Sequence, residues 1–342
     1  MRSARHFGRA GRAQRGVALL LAILIVALGT IIAATVAYEN AMTARRSTAT
    51  FTFDQALLVE EAAEAFAASG LQLIRQNDPQ HIYLGQGWDK PQKLEIVPGV
   101  VMLEASLEDL QGRFNLNNLV RSDGTPDPAQ VQAFTNLLEM LGLETKWAGY
   151  MVDWIDMDLV PSNPDGAEDS VYMGQTPPYR TANRYITSAT ELLALPGFGY
   201  DRYVKLAPYV TALPNNTALN VCTASGLVLD AYLGSGHSEF GANPDTLASN
   251  RQNSTGCFPT LQSYTAAMTT APAAPQTPQQ ASPGNSQQNA QQQHAALFQM
   301  NSSYFRLKSY ITIGSTEFSL YSLLYQDGTG MTRPILRSYT ED

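Results

Sequence analysis

Six carboxylates crowd one short stretch of the chain. Asp153, Asp156 and Asp158 stand in Asp153-Trp154-Ile155-Asp156-Met157-Asp158, and Asp165, Glu168 and Asp169 follow in Asn163-Pro164-Asp165-Gly166-Ala167-Glu168-Asp169. Carboxylate oxygens are hard ligands, and calcium takes about six to eight oxygens from a backbone flexible enough to wrap the ion. Pro161, Pro164 and Gly166 break the segment, so it reads as a loop that offers such ligands. Its spacing is not that of an EF-hand: Asp156 and Asp158 fit, but Val160 occupies the next ligand position. Asp156, Asp158, Glu168 and Asp169 are the first-choice ligands, with Asp153 and Asp165 second. The competing expectation is a solvated acidic loop that holds no ion.

No constellation for catalysis accompanies these acids. The four histidines, His6, His81, His237 and His294, are scattered. The chain has no Gly-x-Ser-x-Gly, no Cys/His metal spacing and no phosphate-binding glycine loop. Asp153 and Asp156 are an acid pair, but nothing in the sequence builds a pocket around them. The formal net charge is -8, although the first residues are basic, which argues against nucleic acid as a partner.

The elements that must position the acids follow from hydropathy patterning. An apolar run begins at Val17, continues to Ala37 and contains no charge. At about 1.5 Å of rise per residue it can cross a hydrocarbon core of about 30 Å. Arg2, Arg5, Arg9, Arg12 and Arg15 precede it, so by the positive-inside rule the chain after Tyr38 lies across the membrane. The run is too long for a secretory signal peptide, and Ala33-Ala34-Thr35 is a weak cleavage site. A plain anchor remains as the alternative. The helix should continue to about Gln76, with Phe53, Leu57, Phe66, Gly70, Leu73 and Ile74 on an apolar face and Glu60, Glu61 and Glu64 on a wetter one. Asn77-Asp78-Pro79 stops it.

Strands should follow at Lys93–Val97 and Val100–Leu107, with strand and loop through Asn117. Helices are predicted at Pro128–Leu141 and Trp147–Ile155. A helix capped by Thr187 or Ser188, a turn at Gly197 and Gly199 and a helix at Tyr203–Tyr209 form one hairpin unit. A second begins at Asn220. Hairpins of this kind can cradle DNA phosphates, but the neighbourhood lacks the positive charge that DNA affinity needs. Residues 266–296 are Pro, Gln, Ala and Ser with no apolar period and should form a flexible loop. Strands return at Tyr304–Ile313, Glu317–Tyr325 and Pro334–Tyr339. The fold class is α+β, with a helical block inserted into a sheet domain.

Arg15-Gly16 directly before Val17, followed by a helix that does not stop at the membrane, resembles the leader of type IV pilins and type II secretion pseudopilins. The resemblance implies that prepilin peptidase cuts between Gly16 and Val17 and that Val17 becomes a methylated amino terminus. Most members carry glutamate at mature position five; here that position is Leu21. Its absence, the Asp-Trp-Ile-Asp and Gly-Ala-Glu-Asp motifs and the inserted helical block are similar to the GspK family of minor pseudopilins. The implied fold is pilin-like: a long N-terminal helix on an antiparallel sheet, with a large inserted domain of SAM-like or helix-hairpin-helix units.

Residues 1–16 would be the leader, 17–76 the spine helix and 77–118 the first part of the sheet domain. Residues 119–265 would be the insertion, 266–296 the loop and 297–342 the returning strands. The resemblance further implies bound Ca2+ and a single pass through the bacterial inner membrane with a periplasmic C-terminal domain. Its implied partners are the minor pseudopilins I, J and H at the pseudopilus tip, and it implies a structural, non-enzymatic role in export of folded proteins. In such a periplasm Cys222 and Cys257 would form a disulfide; two free buried thiols are the alternative. The other function class is a membrane-anchored, calcium-stabilised binding protein that joins no fibre.

Processing separates the two. In cells with active prepilin peptidase, Gly16→Ala should leave much of the chain at full length, whereas Val17→Ala should be tolerated better. The mass of the amino-terminal peptide reads this out, and a wild-type chain still beginning at Met1 would overturn it.

Overall fold

The computed structural model describes residues 13–234, 240–241, 247–248, 251, 256–258, 264 and 297–340. Residues 1–12 of the basic leader and the low-complexity stretch 266–296 lie outside the described residues. The chain divides into two compact units, Met1–Leu58 and Val59–Asp342.

Helix α1 is assigned to Ala13–Asn77. In the first unit it carries the apolar run, where an 18-residue window reaches a mean hydropathy of 3.0 with none of it buried. By length and composition this is one helix able to cross a membrane.

In the second unit, Val59 to Asn77 of α1 lie on a sheet. After α1 come β1 (Gln92–Val97) and β2 (Val101–Asp109). The chain then leaves the sheet through a 3-10 turn at Leu110–Gly112, β3 (Phe114–Asn115) and a second 3-10 turn at Leu116–Leu119. A helical body follows with α2 (Pro128–Met140), α3 (Lys146–Ile155), α4 (Asp169–Tyr172) and α5 (Tyr200–Leu206). Short strands β4 (Val210–Thr211) and β5 (Leu219–Asn220), helix α6 (Gly226–Leu233) and β6 (Phe298–Gln299) complete it. The chain rejoins the sheet as β7 (Tyr304–Ile313), β8 (Thr316–Gln326) and β9 (Thr332–Ser338). The five-stranded sheet runs β1-β2-β7-β8-β9 and is antiparallel throughout. Strands far apart in sequence are thus neighbours: Val101 opposes Ile313 and Asp109 opposes Phe305.

The helix face that meets the sheet is not the one hydropathy suggests. Phe66 and Leu73 are exposed, at 61% and 59%. The buried positions are Glu60, Ala63, Glu64, Ala67 and Leu71, which recur at helical spacing. Two alanine methyls let the backbone approach the strands closely. The two glutamates are tolerated because the sheet supplies partners: Ser322 Oγ lies 2.9 Å from Glu60 Oε1, and Arg337 donates to both oxygens of Glu64 at 2.8 and 2.6 Å. A buried acid with a guanidinium is affordable where a lone one is not. Glu61 alone keeps the predicted wet position.

The helical body has its own core of Phe114, Phe134, Leu137, Trp147, Met151, Phe198 and Leu229 among others. Asp127 caps α2, accepting from Ala129 and Gln130 N–H, with Pro128 in the first helical position where no amide is needed. Ser188 caps the segment Ala189–Ala194, which is a 3-10 helix rather than the α-helix of the sequence expectation. Pro196 disfavours helical backbone at Leu195, so the segment has no room to grow into a longer helix. Gly197 and Gly199, both at positive φ, then make the predicted turn into α5. Cys222 and Cys257 are joined by a disulfide.

The stretch Leu107–Asn117 is the tether between sheet and helical body. Asp109 is buried at the end of β2. Its Oδ2 accepts from Thr223 Oγ1 at 2.5 Å, Ser302 Oγ at 2.6 Å and Asn220 Nδ2 at 3.1 Å, while Oδ1 accepts from Gln111 N–H at 2.9 Å. Asn117 spans further, donating to the carbonyls of Ile186 and Leu213 and accepting from Ile186 N–H. Asp109→Ala removes the acceptor of four donors. Asn220 keeps Ile82 O and Ser302 Oγ, and the other three lose a bond worth about 1–3 kcal/mol each where the donor is left unpaired. It should lower the unfolding free energy of the full chain in detergent by at least about 3 kcal/mol, against about 1 kcal/mol for Thr223→Val. Denaturant titration checks both values.

Candidate metal centre

The helix α3 extends through Asp153 to Ile155, so the first of the six acids sits on a helix rather than in the loop. Asp153 is fully buried, and its carboxylate receives Ser162 N–H at 3.1 Å and Ala167 N–H at 2.6 Å. It folds the following loop back onto the end of α3. Two glycines make that return feasible. A Cβ on Gly166 would lie 2.2 Å from Ser162 N, and one on Gly149 would lie 2.0 Å from the Asp165 carbonyl oxygen. Only hydrogen fits at either place.

This return brings Asp156, Asp158 and Glu168 together. One oxygen from each of the three carboxylates lies within 4.8 Å of the others. Asp156 is the C-cap of α3, and Glu168 is the N-cap of the short α4, with no capping bond from its side chain. Asp156 and Glu168 are buried and Asp158 is exposed. Asp156 Oδ1 and both Glu168 oxygens are buried without a hydrogen-bond partner, and so is the Tyr172 hydroxyl one turn beyond Glu168. The negative end of the α3 dipole adds to the unfavourable field at Asp156.

The remaining acids have other work. Asp169 accepts from Thr181 N–H and Oγ1, and lies 3.6 Å from the Arg180 guanidinium. Asp165 contributes its backbone at Gly149, and its side chain is not in the cluster. The structure therefore joins three of the four first-choice ligands and assigns Asp169, Asp153 and Asp165 to the surrounding scaffold. Tyr172 carried no signal for this position beyond its aromatic character.

The electrostatics are those of a site short of positive charge. Burial pushes the Asp156 carboxyl up to about 7, helped by the charges of Asp158, Asp153 and Glu168. Burial likewise raises Glu168 to about 7, with Asp153 and Asp158 adding to it. Asp158 Oδ1 accepts from Val160 N–H at 2.7 Å, while Asp156 Oδ1 and both Glu168 oxygens have no donor. Such hard oxygens fit a cation of the Ca2+ type and suit soft metals poorly. Backbone carbonyls and water would complete such a shell.

The second unit is a helix laid on a five-stranded antiparallel sheet with a helical body between neighbouring strands, and the chain carries one N-terminal apolar helix: a pilin-like α+β protein. A family model described as Type II secretion system (T2SS), protein K, matches residues 112–215. The chain is 36% identical over 229 residues to type II secretion system protein K of Pseudomonas aeruginosa, spanning 64% of this chain and 68% of that one. It is 35% identical over 220 residues to the protein K of Aeromonas hydrophila, spanning 61% and 66% respectively. A solved structure, the GspK-GspI-GspJ complex from the type 2 secretion system of enterotoxigenic Escherichia coli, shares the fold. There the TM-score is 0.70 at 24% identity, covering 87% of this chain and 100% of the matched one. This chain belongs to the type II secretion system protein K family.

The raised acids fix the sign of a pH effect. A carboxyl whose pKa is higher in the folded state stabilises fully below its ordinary value, near pH 4, and that contribution is lost as the pH rises to about 7. With chelator, the full chain in detergent should therefore melt at lower temperature at pH 8 than at pH 5. Saturating calcium should remove the part of that trend that Asp156 and Glu168 contribute and add a few kcal/mol at concentrations far above Kd. Asp156→Asn with Glu168→Gln should match or exceed wild type in chelator and gain nothing from calcium. Differential scanning calorimetry at two pH values separates the cases.

Proposed function

We propose that this protein is a minor pseudopilin at the tip of the type II secretion pseudopilus. It is anchored in the bacterial inner membrane by one helix, and its sheet and helical body lie in the periplasm. Its role is structural: it initiates the fibre and then caps it, for export of folded proteins across the outer membrane. The observation that carries this reading is the helical body mounted between β2 and β7, bulk that suits an end position where no subunit has to follow. Leu21 agrees with it. A carboxylate in lipid is costly unless paired, and the first subunit inserted meets no earlier amino terminus to pair with.

Pseudopilins I and J, named in the complex whose fold the chain shares, support the same partners here, and H is proposed to join that assembly. Prepilin peptidase processes the chain at Gly16-Val17 and methylates Val17. Ca2+ held by Asp156, Asp158 and Glu168 neutralises the cluster and pins the loop after α3 to the start of α4. This stabilises the helical body without taking part in any reaction.

Co-purification from membranes with I and J supports the reading, and recovery of the chain alone from cells with an active system favours a binding protein outside the fibre. Deleting the protein should impair secretion, and gold labelling should find it at one fibre end; regular labelling along the shaft would reject the tip position. Leu21→Glu should cost roughly 2–3 kcal/mol or more on insertion and reduce assembly.

A further inference from the structure

Ser322 of β8 lies beneath α1 with its hydroxyl between two carboxylates, 2.9 Å from Glu60 Oε1 and 2.6 Å from Glu64 Oε1. A serine hydroxyl has one proton to donate. It can serve only one of these oxygens as a donor. If both acids were ionised, the second contact would set lone pair against lone pair at hydrogen-bond distance. Glu64 is the acid that stays charged, because the Arg337 guanidinium holds both its oxygens, at 2.8 and 2.6 Å. Glu60 has no such grip. Its Oε2 is buried without a hydrogen bond of good geometry, with the Ser309 hydroxyl close by.

We propose that Glu60 is a neutral carboxylic acid in the folded protein, donating its proton to Ser322 Oγ while Ser322 donates to the ionised Glu64. The proton makes the helix-to-sheet seam a pH-sensitive latch. The groups facing Glu60 are few: Glu64 and the exposed Glu61 on its own helix, Ser309 from β7, Ser322 from β8 and Arg337 from β9. One guanidinium therefore stands opposite two buried acids, and one proton is what balances them. Burial raises the pKa of Glu60 and outweighs the hydrogen bonds from Ser309 and Ser322 that oppose it; the Glu64 charge adds to the rise and Arg337 lowers it. Losing the proton would leave two carboxylates competing for one hydroxyl and one guanidinium at the point where α1 meets β8 and β9.

The test uses the full chain in detergent and the variant Glu60→Gln, whose amide keeps both a donor and an acceptor. Infrared difference spectra at neutral pH should show the carbonyl stretch of a protonated carboxylic acid in wild type and its loss in the variant. Loss of carboxylate bands instead would overturn the assignment. In denaturant titrations, the ratio of wild-type to variant folding constants should fall by up to about tenfold per pH unit as the pH rises from the ordinary glutamate value to that of Glu60. Parallel pH profiles would also overturn it. Should the glutamine variant fail to fold, Ser322→Ala gives a second arm: removing the shared hydroxyl should shift the acid band in frequency, and an unmoved band refutes the hydrogen bond.

Discussion

Asp109 ends a strand of the sheet inside the protein, and the helical body is held to that sheet by the donors its carboxylate collects. Gln111 belongs to the turn that leaves the sheet, Asn220 and Thr223 to the far side of the helical body, and Ser302 to the segment that returns. Asn220 also donates to Ile82 O and Ser302 Oγ. Exit, body and return are thereby fixed at one point. Burial alone raises the pKa of Asp109, and the hydrogen bonds from Ser302, Thr223, Gln111 and Asn220 oppose it. An apolar residue there would fill the volume but would leave the donors unpaired.

The same problem, an acid taken out of water, is solved differently elsewhere in the second unit. Glu108, next to Asp109, meets Arg113, Arg306 and Lys308. Burial pushes its carboxyl up, but those three cations outweigh burial and hold it at about 2. Glu64 takes the Arg337 guanidinium. Asp156 and Glu168 receive neither donors nor a cationic side chain, and their carboxyls rise to about 7. The contrast gives the acidic cluster its meaning. Glu108 and Glu64 have cationic partners, whereas three oxygens of Asp156 and Glu168 converge without one, and a hard cation is the partner that fits them.

The stretches of α1 on either side of Leu58 differ in kind. Up to Ala37 the helix is apolar all round and long enough to cross a membrane. From Val59 onward it meets the sheet through Ala63, Ala67, Leu71 and two buried acids and turns Phe66 and Leu73 outward.

What the sequence by itself determined is the part of the protein governed by neighbours in the chain. The charge-free run after Arg15-Gly16, the alternation in β7 and β8, the cap at Ser188 and the acids of the broken loop each act over a few residues, so composition and period disclose them. Tertiary structure alone decided which groups meet. Hydropathy placed Glu60 and Glu64 in water because Ser322 and Arg337, far along the chain, are invisible to a helical period. It could not divide six acids into three that converge and three that support them. That division depends on Asp153 catching the amides of Ser162 and Ala167, and on two glycines that let the loop close. A carboxylate is exposed, paired or left open for an ion according to what the fold sets opposite it, and that partner comes from elsewhere in the chain.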